Sequence, residues 1–451
     1  MIRPLLVLVL AHIWALLLAP QAFAETTAFV NVNVVPMTLE TVIEQQTVVV
    51  NNGLIASVGA VDETPIPKGA TVIDGTDRFL MPGLAEMHAH VPASDSGNLD
   101  RYFSLYVANG VTTIRGMLGQ ASHLDLRMRL NNGDMFGPRL VTSGPSLNGR
   151  SVAGVTQARQ LVRDQHHSGY DFVKIHPGLT AAEFEAIAET ANELGIPFAG
   201  HVPVATGVAR ALQLNMATID HLDGYFAALL PAGSIGSGGY GGFFDVMLAG
   251  EIDADRISEI ARATAESGTW NVPTEILVEV RVNTTPAAEL RNQPGMQYMP
   301  RETVERWVAA KEALLAERDF DPEKAALAVE LRRHLILELH KAGAGLLLGS
   351  DSPQVFNVPG FSVHHELDAL VAAGLTPYEA LSSGTIAVAE FLGGNAGIVA
   401  VGRDADLVLL DANPLEDVRH AQRIHGVVVR GDWYSADSLS ERLDRYTGID
   451  N

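Results

Sequence analysis

The chain has 451 residues, of which 47% are hydrophobic, and it contains no cysteine. Its formal net charge of −22 argues against nucleic acids and anionic membranes as partners. Without cysteine the chain forms no disulfides, and any metal site must use His, Asp, Glu or Lys side chains.

Residues 1–24 have the pattern of a signal peptide. Arg3 gives a positive start, LLVLVLAHIWALLLA is an apolar core, and the AFA segment at 22–24 has the small-residue pattern of a cleavage site. We expect cleavage near Glu25 and export to the periplasm or the medium, with no membrane association after removal. The alternative is an uncleaved anchor helix, but the apolar run is short for a span of roughly 20 residues.

Both ends of the mature chain are predicted to be β-structure, at 25–82 and at 396–440. The first contains AFVNVNVVPM, TVVVNNGLIASVGAV and ATVIDGTDRFLMPG, and the second contains AGIVAVGRDADLVLLDANP and RIHGVVVRGDWYS. The Asn52-Gly53 pair between two β-branched runs predicts a hairpin turn. Each end is too small to form a stable sandwich alone, so we expect one small β-sandwich domain built from both.

Residues 83–395 alternate strand-like runs with helical segments, which predicts an α/β fold with a (β/α)8 TIM barrel. The strand-like runs are LAEMHAHV, VTTIRGM, PRLVTSG, DFVKIHP, PFAGHV, ATIDHL, TWNVPT and GAGLLLGSD. A glycine-rich stretch at 231–243 reads as a connection or a lid. A charged, mostly helical insertion at 285–340 precedes the eighth run.

The first strand-like run ends in two histidines, His88 and His90. Side chains at positions i and i+2 of a strand point to the same face. Two neutral imidazoles on one face can share a metal ion, most often zinc. Taken alone, the pair is also explained as two polar residues at the end of a strand.

Other runs end in the same kinds of residue, and this favours the metal interpretation. They are Lys174 and His176 in the fourth run, His201 in the fifth, His221 in the sixth and Asp351 in the eighth. Because the catalytic residues of a TIM barrel gather at the C-terminal ends of its strands, we expect these side chains to converge on one mouth. The ordered set predicts a metal centre there.

Lys174 has two interpretations, because a protonated lysine repels a metal ion. The side chain could bury its stem and reach the rim with its ammonium group. Alternatively, CO2 adds to the neutral amine to form a carbamate, an anionic oxygen ligand that can bridge two divalent cations.

Three further residues are candidates for binding substrate. His176 shares a face with Lys174 and could touch substrate or orient the carbamate. Arg115, at the end of the second run, could hold a substrate carboxylate, with a structural salt bridge as the alternative. Tyr225 could stabilise a tetrahedral oxyanion or could simply form part of the wall.

The ordered set HxH, Lys, His, His, Asp on an eight-stranded pattern resembles the amidohydrolase superfamily, in its imidazolonepropionase-like and Xaa-Pro-dipeptidase-like branch. FLMPGLAEMHAHV and YVANGVTTIRGM resemble its first two strands, and TIDHLDGY resembles its sixth-strand motif with Asp220 where Glu is usual. HHELDALVAAGLTPYEALSSGTIAVAEFLG and GIVAVGRDADLVLLDANPLEDV resemble its C-terminal segments. The resemblance covers nearly all of the mature chain.

The resemblance implies a hydrolase with two divalent metal ions, usually zinc in the superfamily. In such a site His88 and His90 would bind the first metal with Asp351, and His201 and His221 the second. Lys174 would be carboxylated and would bridge the metals together with a hydroxide. Asp351 would move the proton of the attacking hydroxide to the leaving amine, although a capping role before Ser352-Pro353 is its alternative.

The resemblance leaves the substrate open. The stretches TSGPSLNGRSVAG and IHPGLT depart from the prolidase-like pattern, which puts Xaa-Pro dipeptide cleavage in doubt. We therefore expect cleavage of an amide or dipeptide-like C–N bond in a small-molecule substrate. A lactonase or esterase with the same metal site is the alternative, and a non-catalytic periplasmic binding protein is a third. A homo-oligomer is possible.

Overall fold

The computed structural model describes residues 26–231 and 243–447. The predicted signal peptide at 1–24 lies outside the described residues, as does the glycine-rich stretch apart from its two end residues, 231 and 243. Across the described ranges, the structure contains no helix with the length and apolar character needed to cross a bilayer.

Strands occupy the two ends and the middle of the chain. The N-terminal strands are β1 Thr27–Val34, β2 Ile43–Asn51, β3 Leu54–Ala60, β4 Thr71–Asp74 and β5 Phe79–Pro82. The central strands are β6 Leu84–Ala89, β7 Val111–Gly116, β8 Arg139–Thr142, β9 Val173–Ile175, β10 Phe198–Gly200, β11 Thr218–Asp220 and β12 Trp270–Val272. The C-terminal strands are β13 Leu407–Leu410, β14 Ile424–Val429 and β15 Asp432–Ser435.

The strands of the two chain ends lie in one sheet with the order β15-β14-β13-β5-β1-β2-β3, and β4 pairs with β1. Hydrogen bonds connect strands from both chain ends into this one sheet, and the predicted small β-sandwich domain built from both ends stays a prediction. The link is β5, which pairs antiparallel with β13 and parallel with β1. The predicted hairpin turn is confirmed between β2 and β3, where Asn52 and Gly53 have φ of 51° and 75°.

Alternation along β13 shows how this sheet joins the rest of the molecule. Leu407 and Leu409 pack with Phe29 and other apolar residues of the sheet. Val408 and Leu410 point the other way, into the main core around the central strands. Because successive side chains of a strand point to opposite faces, the sheet is buried on both sides at this strand.

The central strands form two parallel sheets, β6-β7-β8 and β12-β11-β10-β9. Isolated parallel bridges join β8 to β9 through Ser143 with Phe172 and Leu147 with Ile175. The eighth predicted run, 343–351, is not a continuous strand, but Leu346 bridges to Asn271 beside β12. On its other side, Leu348 O accepts a 2.8 Å hydrogen bond from the backbone N–H of Met87 in β6.

Helices separate the central strands and fill the predicted insertion. The α-helices are α1 Leu99–Ala108, α2 His123–Asn131, α3 Val155–Ser168, α4 Ala181–Leu194, α5 Val208–Gln213, α6 Tyr225–Ala228, α7 Ile257–Ser267, α8 Glu275–Val282, α9 Ala287–Leu290, α10 Arg301–Leu315, α11 Pro322–Ala342, α12 Phe361–Ala372, α13 Pro377–Ser383, α14 Ile386–Leu392 and α15 Ala436–Asp444. Short 3₁₀ turns lie at Phe243–Leu248, Ala254–Arg256, Met296–Tyr298 and Val418–Gln422. The insertion predicted to be mostly helical contains α9, α10 and most of α11.

A buried lysine of the insertion forms hydrogen bonds with the C-terminal end of helix α8. Lys311, on α10, is fully buried, and its Nζ donates to Val280 O at 2.7 Å and to Asn283 O at 2.8 Å and Oδ1 at 2.9 Å. The last carbonyls of a helix have no partner within the helix, so the ammonium group satisfies acceptors that would otherwise be unpaired. The insertion thereby holds the C-terminal end of α8 in place.

Replacing Lys311 by Met should lower the free energy of unfolding by about 2–4 kcal/mol, because several buried carbonyls lose a charged donor. Chemical denaturation measures the change. The control is Lys341→Met, which removes an ion pair to Glu338 from a side chain that is 58% exposed and should change stability by about 0.5 kcal/mol or less. Equal effects of the two substitutions would contradict this role of Lys311.

Candidate metal centre

The predicted strand-end residues other than Lys174 line one small cavity of about 150 Å³. His88 lies near the end of β6, and His90, His176, His201 and His221 follow the ends of their strands. Asp351 ends the eighth run. The remaining lining residues come from helices and loops: Phe243, Phe244, Leu277, Arg281 and Gln354.

One ligand atom from each of His88, His221 and Asp351 lies within 4.8 Å of the other two, and all three residues are buried. His90 Nε2 is 2.9 Å from Asp351 Oδ1, and His88 Nε2 is 3.7 Å from the same oxygen. The His201 and His221 rings are 4.7 Å apart between centroids. Imidazole nitrogens and a carboxylate at these separations are a donor set that suits a divalent transition metal.

Three of the histidines direct their Nδ1 atom to an oxygen outside this group. His88 Nδ1 lies 2.9 Å from Asp220 Oδ2, and His201 Nδ1 lies 3.1 Å from Asp223 Oδ2. His221 Nδ1 lies 2.8 Å from Thr274 Oγ1. Metal-binding histidines commonly use one nitrogen in this way, which fixes the ring and leaves the other nitrogen for the ion.

Asp351 supplies a direct test of whether a cation fits. Its Oδ1 is buried, and no hydrogen-bond donor of good geometry meets it among residues 26–231 and 243–447, although His90 Nε2 is close. Burial alone would raise the pKa of Asp351, but neighbouring His90 and His88 lower it below its ordinary value. An ionised, incompletely satisfied carboxylate facing imidazole nitrogens fits a bound cation.

Lys174 is fully buried beside this group and does not reach the rim. Its Nζ lies 3.4 Å from His88 Nε2 and 3.6 Å from Asp220 Oδ2. Gly200 makes room for the stem, because a Cβ at this residue would lie 2.9 Å from Lys174 Cδ. Burial lowers the pKa of Lys174, which favours the neutral amine.

His176 lines the cavity as predicted, with its ring 5.0 Å from that of His201. Burial is the main cause that lowers the pKa of His176 to about 3, so the ring is neutral at ordinary pH. A neutral imidazole there can donate or accept a hydrogen bond without adding positive charge to the cavity.

The structure does not bring Arg115 and Tyr225 to the cavity. Arg115 is fully buried in the interior, where its guanidinium donates to Met87 O at 2.7 Å and to Asp220 Oδ1 at 3.3 Å. The hydroxyl of Tyr225 lies 2.9 Å from Asn271 Oδ1 and also contacts Thr264. Both side chains are committed to internal partners, which corrects the prediction that they touch substrate and favours the structural alternative for each.

Sequence reasoning gave no role to several residues that support the site. Asp220 and Asp223 flank His221, so the sequence DHLD carried a signal for the two carboxylates behind His88 and His201. Glu86, two residues before His88, accepts hydrogen bonds from the N–H groups of His88 and Ser350 at 2.8 and 2.9 Å. Burial raises the pKa of Glu86 to about 7.

The site also has a strained backbone. Asp351, His221 and Thr274 have φ of 60°, 64° and 46°, in the left-handed region that residues with a Cβ rarely adopt. Such conformations persist only where the surroundings impose them, and they concentrate at functional sites.

Comparison with known proteins gives the class of this protein. The chain is 24% identical over 408 residues to the ochratoxinase of Aspergillus niger, covering 82% of this chain and 78% of that protein. The structure of bottromycin amidohydrolase matches with a TM-score of 0.70 at 25% identity, covering 94% of this chain and 91% of that one. A Xaa-Pro dipeptidase with bound methionine matches at TM-score 0.65, covering 91% of this chain and all 100% of that one, but its 17% identity shows the fold alone.

The match to the amidohydrolase family, together with the similarity to ochratoxinase and bottromycin amidohydrolase, defines a hydrolase that acts on carbon–nitrogen bonds. The chain belongs to the amidohydrolase family, which matches residues 79–434. Members of this family generally depend on metal ions, and the His88, His221 and Asp351 group could hold one.

Proposed function

We propose that this chain is an exported amidohydrolase that uses two divalent metal ions, zinc in the first instance, to cleave an amide or dipeptide-like bond. The observation that carries this proposal is the convergence of His88, His90, His201, His221 and Asp351 on one cavity, with Lys174 buried behind it. In this proposal residues 1–24 are a signal peptide that directs export to the periplasm or the medium.

The proposed scaffold is a closed (β/α)8 barrel, in which the eighth predicted run lies between β12 and β6. The bridge from Leu346 to Asn271 and the hydrogen bond from Met87 to Leu348 support this closure on both sides. The bridges between β8 and β9 support it at the opposite side. In such a barrel the C-terminal ends of the strands form the active face.

The metal ligands in this proposal divide into two sets. His88 and His90 would hold one ion with Asp351, and His201 and His221 would hold the other. Asp220, Asp223 and Thr274 support the assignment, because each lies behind the Nδ1 atom of one of these histidines. Among the metals that imidazole and carboxylate ligands suit, zinc is the first choice.

Lys174 completes the site in this proposal as a carbamate formed from CO2 and its neutral amine. The reaction makes a bond from Nζ to carbon and releases one proton. Burial of the amine and its 3.4 Å distance from His88 Nε2 support the modification. The negative charge of the carbamate would offset part of the charge of two cations held by the neighbouring histidines and Asp351.

Bound divalent ions would supply a water of lowered pKa and polarise the scissile carbonyl. The residues of the chain do the remaining work. Asp351, ionised and within reach of the cavity, takes the proton of the attacking water and delivers it to the leaving nitrogen. The neutral His176 ring, beside His201, orients the substrate through a hydrogen bond.

Arg281 gives the cavity a carboxylate-binding residue in place of Arg115. It lines the cavity from α8, and its guanidinium lies 4.5 Å from the centre of the Phe243 ring. A planar guanidinium recognises a carboxylate through paired hydrogen bonds. The proposed substrates are therefore N-acyl amino acids and small peptides, whose carboxylate Arg281 would bind.

Removal of metal should abolish amide hydrolysis. Treatment of the purified mature protein with a chelator should lower the rate by more than about 100-fold, and added zinc or manganese should restore it. Matched N-acyl and O-acyl substrates, which differ only in the leaving atom, tell an amidase from an esterase. Activity that persists without metal would contradict the proposal, and cleavage of the ester alone would favour the lactonase or esterase alternative.

Replacing Arg281 by Met should weaken recognition of the substrate carboxylate. For N-acyl amino acids kcat/KM should fall by about 10–100-fold, since a charge-assisted hydrogen bond is lost. For the matched N-acyl amines, which lack the carboxylate, we expect a change of less than about threefold. Arg281→Lys should recover part of the loss. An equal loss on both substrate types would show that Arg281 acts on the structure of the site and not on the carboxylate.

A further inference from the structure

A buried arginine of the insertion contacts the ends of two central strands. Arg332, on α11, is 1% exposed. Its Nη1 donates to His221 O at 2.9 Å, and its Nη2 donates to Pro273 O at 3.1 Å. These carbonyls lie just beyond β11 and β12. One guanidinium therefore holds together the two turns that carry His221 and its hydrogen-bond partner Thr274.

Both turns need support, because their backbone is strained. His221 and Leu222 have φ of 64° and 53°, and Thr274 has φ of 46°. A left-handed conformation is especially unfavourable for a β-branched residue such as threonine. Hydrogen bonds from Arg332 to the backbone of both turns oppose relaxation towards ordinary conformations.

The strained turn places the Thr274 hydroxyl against His221. Thr274 Oγ1 lies 2.8 Å from His221 Nδ1. With Nδ1 engaged, the imidazole ring is fixed and its Nε2 atom remains for a metal ion. The orientation of the His221 ring thus depends on the Thr274 hydroxyl. The position of Thr274 depends in turn on Arg332, which holds the carbonyl of the preceding Pro273.

The Arg332 guanidinium is paired with a buried carboxylate, so it adds little net charge beside the metal site. Arg332 Nε donates to Glu275 Oε2 at 2.7 Å, so the guanidinium is paired with a carboxylate. Glu366, on α12, accepts hydrogen bonds from the backbone N–H groups of Glu275 and Ile276 at 2.9 and 2.8 Å, which fixes the start of α8. An unpaired buried cation at this place would oppose the binding of divalent ions, whereas a paired one does not.

We propose that Arg332 and Thr274 are positioning residues that hold His221 in its metal-binding orientation. The proposal rests on the metal-dependent function proposed above. It assigns a role to the insertion, because α11 brings Arg332 to the site from outside the predicted barrel. Neither residue touches the cavity, so both act on the metal through His221.

Two pairs of variants separate this role from a general effect on folding. Thr274→Val keeps the branched shape and removes the hydroxyl, whereas Thr274→Ser restores it. Arg332→Lys keeps the charge but loses the planar fork. The control for Arg332→Lys is Arg333→Lys. Arg333 also joins α11 to α8, because its Nη2 lies 2.7 Å from Glu279 Oε1, but it makes no contact with His221.

The measurement is metal content per chain after equilibration with graded concentrations of chelator, together with thermal unfolding of the metal-free proteins. Thr274→Val and Arg332→Lys should lose one metal ion at chelator concentrations about 10–100-fold lower than the wild type. Thr274→Ser and Arg333→Lys should retain it within about threefold of the wild type. Should Arg332→Lys fail to fold, the two Thr274 variants decide the matter.

Unchanged metal retention in Thr274→Val and in folded Arg332→Lys would overturn the positioning role, even if both were less heat-stable. A wild-type protein that binds no metal would be a different failure, because it would contradict the proposed function and this inference with it. A wild type with two metals and variants that match it would contradict the inference alone.

Discussion

The burial of ionisable groups at the C-terminal ends of the central strands is the constraint on which the site depends. Lys174 Nζ lies 3.6 Å from Asp220 Oδ2, and Arg115 contacts the other oxygen of that carboxylate at 3.3 Å. Charges in a region of low dielectric are tolerated only when they are paired and hydrogen-bonded. Asp220 therefore balances the buried charge of Arg115 and also lies 2.9 Å from His88 Nδ1, so one carboxylate serves both the interior and the metal site.

Support for the cavity comes from two directions. On one side, the carboxylates of Asp220 and Asp223 and the hydroxyl of Thr274 lie beside the Nδ1 atoms of three histidine rings. From another direction, the insertion holds α8 at both ends, through Lys311 at its last turn and Arg332 near its first. Because Leu277 and Arg281 of α8 line the cavity, the insertion fixes the position of the part of the cavity wall that α8 forms. This arrangement lets the loops and helices vary with the substrate while the strand ends remain fixed.

The sequence predicted the residues whose directions follow from strand geometry. His88 and His90 share a face because side chains alternate along a strand, and the other histidines follow strand ends in the same way. Arg115 also lies near a strand end, but no local pattern tells whether such a side chain points to the rim or, as here, into the interior. Arg281 and Arg332 were missed because their place depends on how whole helices pack. The strand order of the end sheet was not predicted for a similar reason, since pairing between β5 and β13 joins residues more than 300 positions apart.

The central claim is that Lys174 bridges two metal ions as a carbamate. The most direct measurement is a crystal structure of the metal-loaded mature protein grown in the presence of bicarbonate, with anomalous scattering recorded at the zinc edge. The account predicts two anomalous peaks among the four histidines and Asp351, and electron density for a carboxylate extending from Lys174 Nζ between them. A single peak beside an unmodified Lys174 would contradict it.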